Sequence, residues 1–141
     1  MTRFAYPASL IPEEDGGFVV LFRDLPEAIT QGDSVDECLV EASDCLEEAI
    51  AARIDDRLEI PTPSDVSESD HLVPVPLQMA LKAALYVAIR ESGFPNTHVG
   101  DLLGKDEKEI RRMLDPHHGT KLSTLERALR ALGKRAELHL S

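Results

Sequence analysis

The sequence predicts an α+β protein with two modules, a small sheet carrying one helix and then a helical domain. Apolar residues alternate along short segments of the first part, as half-buried strands require, whereas later they recur every three or four residues. Charge divides at the same point. Residues 1–76 carry 4 basic and 18 acidic residues, a net charge of −14, and residues 77–141 carry 11 basic and 8 acidic residues, a net charge of +3. We therefore expect domains at 1–76 and 77–141 that have different partners.

Three strands are predicted at the start of the chain. Residues 4–10 alternate apolar with smaller or polar side chains, and Phe18–Arg23 is a second, more apolar strand. Pro12–Gly17 between them is an acidic turn closed by two glycines, so the pair should form an antiparallel hairpin. Ala28–Thr30 is the third strand, and Gln31–Asp33 is expected to end it.

A long helix follows. Ser34 is a favourable N-cap, and Glu37 three residues later completes a capping box. The helix has an acidic outer face and one apolar stripe that must pack on the sheet. The stripe consists of Val35, Cys38, Leu39, Ala42, Cys45, Leu46, Ala49 and Ile50.

The first module ends with a loop and a last strand. Residues 57–70 are polar and contain prolines, which predicts a loop, and His71–Pro76 is an edge strand because its prolines cannot donate to a ladder. The order is thus β-β-β-α-β. Cys38 and Cys45 are too few and too far apart to bridge and are expected to be core residues. Without a cleavable leader or an apolar span, the chain is expected in the cytoplasm.

These segments resemble the HicB antitoxins of type II toxin–antitoxin systems. The resemblance rests on the segments 15–20 (Asp-Gly-Gly-Phe-Val-Val), 24–26 (Asp-Leu-Pro) and 30–34 (Thr-Gln-Gly-Asp-Ser), followed by the alanine- and acid-rich helix. Glu27 departs from the glycine that many relatives have after Leu-Pro. The resemblance implies a partial RNase H-like fold that binds and blocks a HicA-type toxin, a small basic mRNA endonuclease.

The acidic residues raise a second possibility, a nuclease, because metal-dependent phosphodiester cleavage needs several converging carboxylates. Most acidic residues here lie on the outer face of one helix, and only Asp24 ends a strand. We therefore predict no catalytic residues, no metal site and no cofactor in this module. Cleavage of RNA by the purified protein with Mg²⁺ or Mn²⁺ would contradict this prediction.

Four helices are predicted after Pro76. Their expected bounds are residues 77–91, a short helix that begins at Pro95 and ends at Gly104, residues 106–114, and residues 122–132. Small Gly100 allows the second and third of these helices to approach closely. Arg135–Leu140 alternates apolar and polar residues, as a strand does.

The segment from Phe94 to Gly133 resembles the Cro/repressor-type helix-turn-helix, which makes residues 106–114 the recognition helix. The resemblance implies contacts with base edges near the start of this helix, and contacts with bases or phosphates from its later arginines. Acidic side chains on the helix can add selectivity, because glutamate accepts from cytosine. The predicted DNA-binding residues are Asn96, Thr97, Lys105, Glu107, Lys108, Arg111, Arg112 and Lys121.

The histidines of this module do not indicate a metal site. His117 and His118 are adjacent in a loop after Asp115, point in different directions and have no cysteine near them in sequence. His98 is interpreted as a solvent-facing helix residue. We expect no metal here.

Together these features predict an antitoxin that represses its own operon. Single helix-turn-helix units bind as dimers on two half-sites, and Arg135–Leu140 is expected to pair with its twofold mate in a dimer that can extend to a tetramer. The alternative is a stand-alone transcriptional regulator whose acidic N-terminal domain binds a small ligand or another protein. A neighbouring gene for a small basic toxin distinguishes the two.

Overall fold

A computed structural model describes residues 3–141 of the chain. It divides them into two compact units. The first comprises the chain up to Arg53 together with Glu59–Pro76, and the second comprises Ile54–Leu58 together with Leu77–Ser141. Among the residues described, no helix is long and apolar enough to cross a membrane. The predicted α+β class is confirmed, with the sheet in the N-terminal part and the helices after it.

The first unit contains a four-stranded antiparallel sheet. Its strands are β1 (Ala5–Pro12), β2 (Phe18–Phe22), β3 (Ile29–Gly32) and β4 (His71–Pro74), in the spatial order β3-β2-β1-β4. The predicted hairpin and the edge position of the last strand are confirmed. The predicted end of the third strand is wrong by two residues, since Gln31 and Gly32 pair with Val19 and Phe18 of β2.

Helix α1 (Val35–Asp55) packs against one face of this sheet. Gly32 permits the close approach, because a Cβ at this position would lie 2.9 Å from the Cys38 sulfur. At the helix start the Glu37 amide donates to Ser34 Oγ over 3.1 Å, and the Glu37 carboxylate accepts from the amide of Asp33, one residue earlier than the capping box predicts. Val35 departs from the predicted stripe, because it is exposed. The core lies between helix and sheet and includes Tyr6, Ala8, Val20, Phe22, Leu25, Cys38, Ala42, Leu46 and Ile50.

The loop that follows α1 is fastened to the end of β2. The Asp24 carboxylate accepts from both the amide and the hydroxyl of Ser64 at 3.0 Å. Arg23 forms an ion pair with Asp70 at 2.9 Å, and the guanidinium holds the pKa of that carboxyl well below its usual range. Asp24, the acidic residue at a strand end, therefore has a structural role in this loop.

The second unit consists mainly of four helices around one core. They are α2 (Leu77–Ser92), α3 (Asn96–Leu103), α4 (Glu107–Leu114) and α5 (Leu122–Ala131), within one or two residues of their predicted bounds. Leu102 is half exposed although its neighbour Leu103 packs on the core. The buried core is formed by Leu81, Leu85, Ala88, Ile89, Val99, Ile110, Met113, Leu125, Ala128 and Leu129.

The residues from Gly133 to the end of the chain are exposed. Arg135–Leu140, the predicted terminal strand, belongs to no helix or strand in the single chain. Leu138 and Leu140 are 70% and 84% exposed, respectively. Pairing of this segment with a second copy stays a prediction.

Candidate nucleic-acid interface

Helices α3 and α4 are joined by a short turn that only glycine permits at two points. Gly104 ends α3 with φ 65°, in the left-handed region that favours glycine. Its neighbour Lys105 donates its amide to the Gly100 carbonyl at 2.9 Å. A Cβ on Gly100 would lie 2.5 Å from the Lys105 carbonyl oxygen. The predicted close approach at Gly100 is therefore present, and it fixes where α4 begins.

Helix α4 has one buried face and one exposed ridge. Asp106 caps it, because its carboxylate accepts from the Glu109 amide at 2.8 Å. Ile110 and Met113 are 0% and 3% exposed and anchor the helix in the core. With 3.6 residues per turn, Lys108 and Arg112 then lie one turn apart on the opposite side, facing solvent. This ridge is accessible to a ligand.

Ion pairs on α4 separate its basic residues into two groups. Arg111 contacts the Glu107 carboxylate at 2.9 Å, and Lys105 contacts that of Glu109 at 3.3 Å. Neither Lys108 nor Arg112 forms an ion pair within residues 3–141. The two ridge residues are therefore the basic side chains of α4 whose charge is not locally compensated.

Three of the eight predicted DNA-binding residues meet in one place. Lys105, Arg112 and Lys121 line a shallow cavity of about 260 Å³ between α4 and the start of α5. Glu109, His118, Thr120 and Thr124 complete its polar lining. The cavity combines three cations with one carboxylate. Its open shape suits a phosphate group better than an enclosed small molecule.

The remaining predicted residues lie outside this cavity. Asn96 and Thr97 form the first turn of α3, where Asn96 is half-buried and Thr97 is exposed. Glu107, Lys108 and Arg111 are exposed on α4. All five are accessible in part or in full, and their contact with DNA stays a prediction.

Lys82 is the residue that the sequence interpretation missed. It is 1% exposed on α2. Its ammonium donates to the carbonyl oxygens of Asp115 at 2.5 Å and Arg112 at 3.3 Å, and to Thr120 Oγ1 at 3.0 Å. Burial lowers the pKa of Lys82, and the negative charge of Asp115 partly opposes that effect. A lysine inside the apolar stripe of α2 was the available signal, because a buried charge needs partners.

Lys82 and Gln78, both on α2, bind the end of α4 and the loop after it. One turn earlier on α2, Gln78 donates its side-chain amide to the Thr120 carbonyl at 2.7 Å. A cation at a helix C-terminus also interacts favourably with the unpaired carbonyls there. Helix α2 thus sets the position of α4 from the side opposite its exposed ridge.

The histidines of this unit occupy the predicted positions in the loop and on α3. His117 Nε2 lies 3.1 Å from Asp55 Oδ2, and His118 Nδ1 lies 3.2 Å from Thr120 Oγ1. His98 is exposed and packs edge-on against Phe94 with ring centroids 4.4 Å apart. Within residues 3–141, no three His, Cys, Asp or Glu side chains converge as metal ligands would.

Comparison with known proteins gives the family. Residues 5–84 match the family described as HicB_like antitoxin of bacterial toxin-antitoxin system. The chain belongs to this HicB-like antitoxin family. Over 133 residues it is 38% identical to Antitoxin HicB of Escherichia coli, covering 94% of this chain and 96% of the relative. It is 40% identical over 133 residues to Antitoxin HicB 2 of Photorhabdus laumondii, with 94% of each chain covered.

A more distant relative extends the same picture. Antitoxin HicB of Pseudomonas fluorescens is 33% identical over 126 residues, which cover 89% of this chain and 86% of the relative. The family predicted from the sequence is therefore confirmed. This HicB-like protein is an antitoxin of a toxin–antitoxin system, a regulatory rather than a catalytic protein.

Proposed function

We propose that this HicB-like antitoxin binds and blocks a HicA-type mRNA endonuclease and represses its own operon by binding operator DNA as a dimer. Both activities would take place in the cytoplasm, where mRNA and operator are found. The observation that carries the proposal is the exposed, uncompensated ridge of Lys108 and Arg112 in a member of an antitoxin family. Membership of the family implies a toxin partner, and the ridge supports a second partner that is anionic.

The arrangement of α3 and α4 supports a Cro/repressor-like helix-turn-helix. In such motifs the second helix enters the major groove, and the residues near its N-terminus contact base edges. Lys108 would read bases and Arg112 would contact bases or phosphate. The DNA backbone on either side would be contacted by Lys105, Lys121, Asn96 and Thr97.

Glu107 adds selectivity in this proposal. Its carboxylate pairs with Arg111 in the free protein and can accept from a cytosine amino group when DNA is bound. Arg111 then becomes free for the DNA. A DNA sequence without this cytosine leaves the Glu107 carboxylate with no donor and close to negatively charged phosphates. Glu107 therefore opposes binding to such sequences.

A dimer would form through the exposed C-terminal segment. Leu138 and Leu140 are the most exposed large apolar residues of the described chain, and we expect the segment to become a strand when it pairs with a second copy. Deletion of residues 134–141 should give a monomer with weaker operator binding. A deletion variant that is still a dimer of unchanged affinity for DNA would refute this part.

The first unit would bind the toxin. Residues 1–76, which contain the first unit, have a net charge of −14 from 4 basic and 18 acidic residues, and this charge attracts a basic protein and repels nucleic acid. If separate units bind the two partners, the two activities should be separable by mutation.

The experiment replaces Lys108 and Arg112 with alanine and measures operator binding and toxin neutralisation in the same variant.

We expect operator binding to be lost and neutralisation of the co-expressed small neighbouring gene product to survive. Arg130→Ala on α5 is the matched control, since this exposed arginine also lies on a helix but outside α3 and α4. Loss of both activities in the double variant would show that the units do not act separately. A purified wild-type protein that binds DNA but no toxin would favour the stand-alone regulator.

A further inference from the structure

Strand β2 is apolar on both of its faces, which is unusual for a small antiparallel sheet. Val20 and Phe22 point into the core and are 0% and 2% exposed. Val19 and Leu21 alternate with them and lie on the other face. Antiparallel sheets that are open on one side carry polar residues there, whereas continuous apolar strands occur where both faces are covered. The pattern of β2 indicates a sheet that is covered on both sides.

The apolar side chains of the open face form one group. The register places Leu21 directly opposite Ile29 of β3 and Val19 opposite Ile11 of β1. Neighbouring strands lie about 5 Å apart, so each of these two pairs is within contact distance, and Val19 and Leu21 join the pairs as successive residues on the same face of β2. Ile11, Leu21 and Ile29 are 49%, 39% and 58% exposed. We call these four residues the open-face patch.

Charge around the open-face patch selects its partner. The turn at residues 13–15, Glu-Glu-Asp, is exposed at the end of the patch next to Ile11 and Val19. Arg23 and Arg53 of the same unit are already paired with Asp70 and Glu27. A second copy of this unit would bring another strongly acidic surface to the patch and would be repelled. DNA is excluded for the same reason.

We propose that the open-face patch is the docking surface for a cationic protein, with an apolar centre that is desolvated on binding and an acidic turn that attracts the partner. The inference rests on the proposed function, in which that protein is the toxin. An apolar centre with a charged rim is the usual arrangement of protein interfaces. The rim would raise the association rate, and the centre would slow dissociation.

A matched pair of substitutions tests the surface. Ile29→Lys places a charge in the patch, and Val40→Lys places the same charge on α1, where Val40 is exposed to a similar extent, 62% against 58%. Val40 lines the shallow groove between α1 and β4, the other apolar surface of this unit. We measure the affinity of the purified antitoxin for the small protein encoded beside it, in a catalytically inactive form.

Ile29→Lys should weaken toxin binding by about tenfold or more, which is the loss expected from the centre of an interface, and Val40→Lys by less than about twofold. Equal losses, or a larger loss for Val40→Lys, would overturn the assignment. So would unchanged toxin binding together with a changed oligomeric state, which would assign the patch to a second copy. If the wild-type protein does not bind the toxin, the proposed function fails before the surface is tested.

Two further measurements guard against misfolding. Operator binding by the Ile29→Lys variant tests whether the second unit is still folded. Thermal unfolding of the same variant tests whether the first unit is still folded. A second variant keeps the patch and changes Glu13 and Glu14 to glutamine and Asp15 to asparagine. It should bind the toxin more weakly at low salt and show a smaller salt dependence. An unchanged salt dependence would remove the acidic turn from the interface.

Discussion

The ammonium of Lys82 lies 2.5 Å from the carbonyl oxygen of Asp115, the residue that ends helix α4. This contact joins a buried charge on α2 to the helix proposed to read DNA. A buried lysine is tolerated only where its donors are satisfied, and here three oxygens accept from it. The contact therefore makes the position of α4 depend on a residue that DNA does not touch.

Lys82→Met should destabilise the second unit and misplace α4. The substitution keeps a long side chain but removes the three hydrogen bonds that the ammonium donates, at a cost of about 1–3 kcal/mol in the free energy of unfolding. Urea unfolding measures the loss, and DNA binding at a temperature where the variant is folded should also weaken. Lys134→Met, at a lysine that is largely exposed, is the control. An unchanged DNA affinity in a folded Lys82→Met protein would mean that Lys82 does not position α4.

Gly100→Ala should be destabilising although alanine favours helices. The added Cβ would lie 2.5 Å from the Lys105 carbonyl oxygen, so the turn between α3 and α4 must shift, and about 1–3 kcal/mol of stability is expected to be lost. Gly119→Ala is the control, since that glycine has open space where its Cβ would be and no left-handed backbone. Equal unfolding free energies for the two variants would contradict the close contact.

The order of helices and strands could be predicted from the sequence, because the spacing of apolar residues and the helix caps are local signals. The edge position of the last strand also followed, since prolines in His71–Pro76 restrict that segment to an edge. The extension of β3 through Gly32 could not be predicted, because glycine commonly ends a strand, and its reason here is the close packing of Gly32 against Cys38 of α1. Packing contacts between elements leave no periodic pattern in the sequence.

The candidate interface was predictable in composition but not in geometry. The sequence identified the basic residues of α4, yet only the structure separates Lys108 and Arg112 from Arg111 and Lys105, whose charges are paired. The role of Lys82 requires the fold, because its acceptors lie 30 to 38 residues further along the chain. The open-face patch likewise depends on the register of three strands.

The raised pKa of Tyr6 predicts that the folded protein loses stability in alkaline solution. Its hydroxyl donates to the Pro61 carbonyl at 2.7 Å, and burial, with a smaller contribution from Asp24, raises its pKa to about 12 from an ordinary value near 10. The neutral phenol is favoured in the folded state, so its contribution is complete below pH 10 and is lost as pH rises from there to about 12. The slope is about 1.4 kcal/mol for each pH unit.

Unfolding by urea at about pH 9 and at about pH 11 would measure this loss, with Tyr6→Phe as the comparison. The variant lacks the ionisable group and should show a smaller decrease over the same interval. If the two proteins lose stability in parallel, Tyr6 does not ionise on unfolding as described.

Glu107→Gln should strengthen binding to DNA of arbitrary sequence and reduce selectivity for the operator. The carboxylate holds Arg111 at 2.9 Å and repels phosphate, so its neutralisation frees one cation and removes one anion from the exposed side of α4. Non-specific affinity depends on the number of phosphate contacts, so it should rise severalfold at low salt and the salt dependence should steepen by about one contact. Operator binding should gain less, because glutamine cannot replace the carboxylate as the stronger acceptor for cytosine.

Fluorescence anisotropy with operator and scrambled duplexes across a salt series measures both affinities. Glu126→Gln on α5 is the matched control, since Glu126 makes the same i,i+4 pair, with Arg130 at 3.4 Å, outside α3 and α4. Equal gains in the two variants would show that only net charge matters, and that α4 is not the helix that faces DNA.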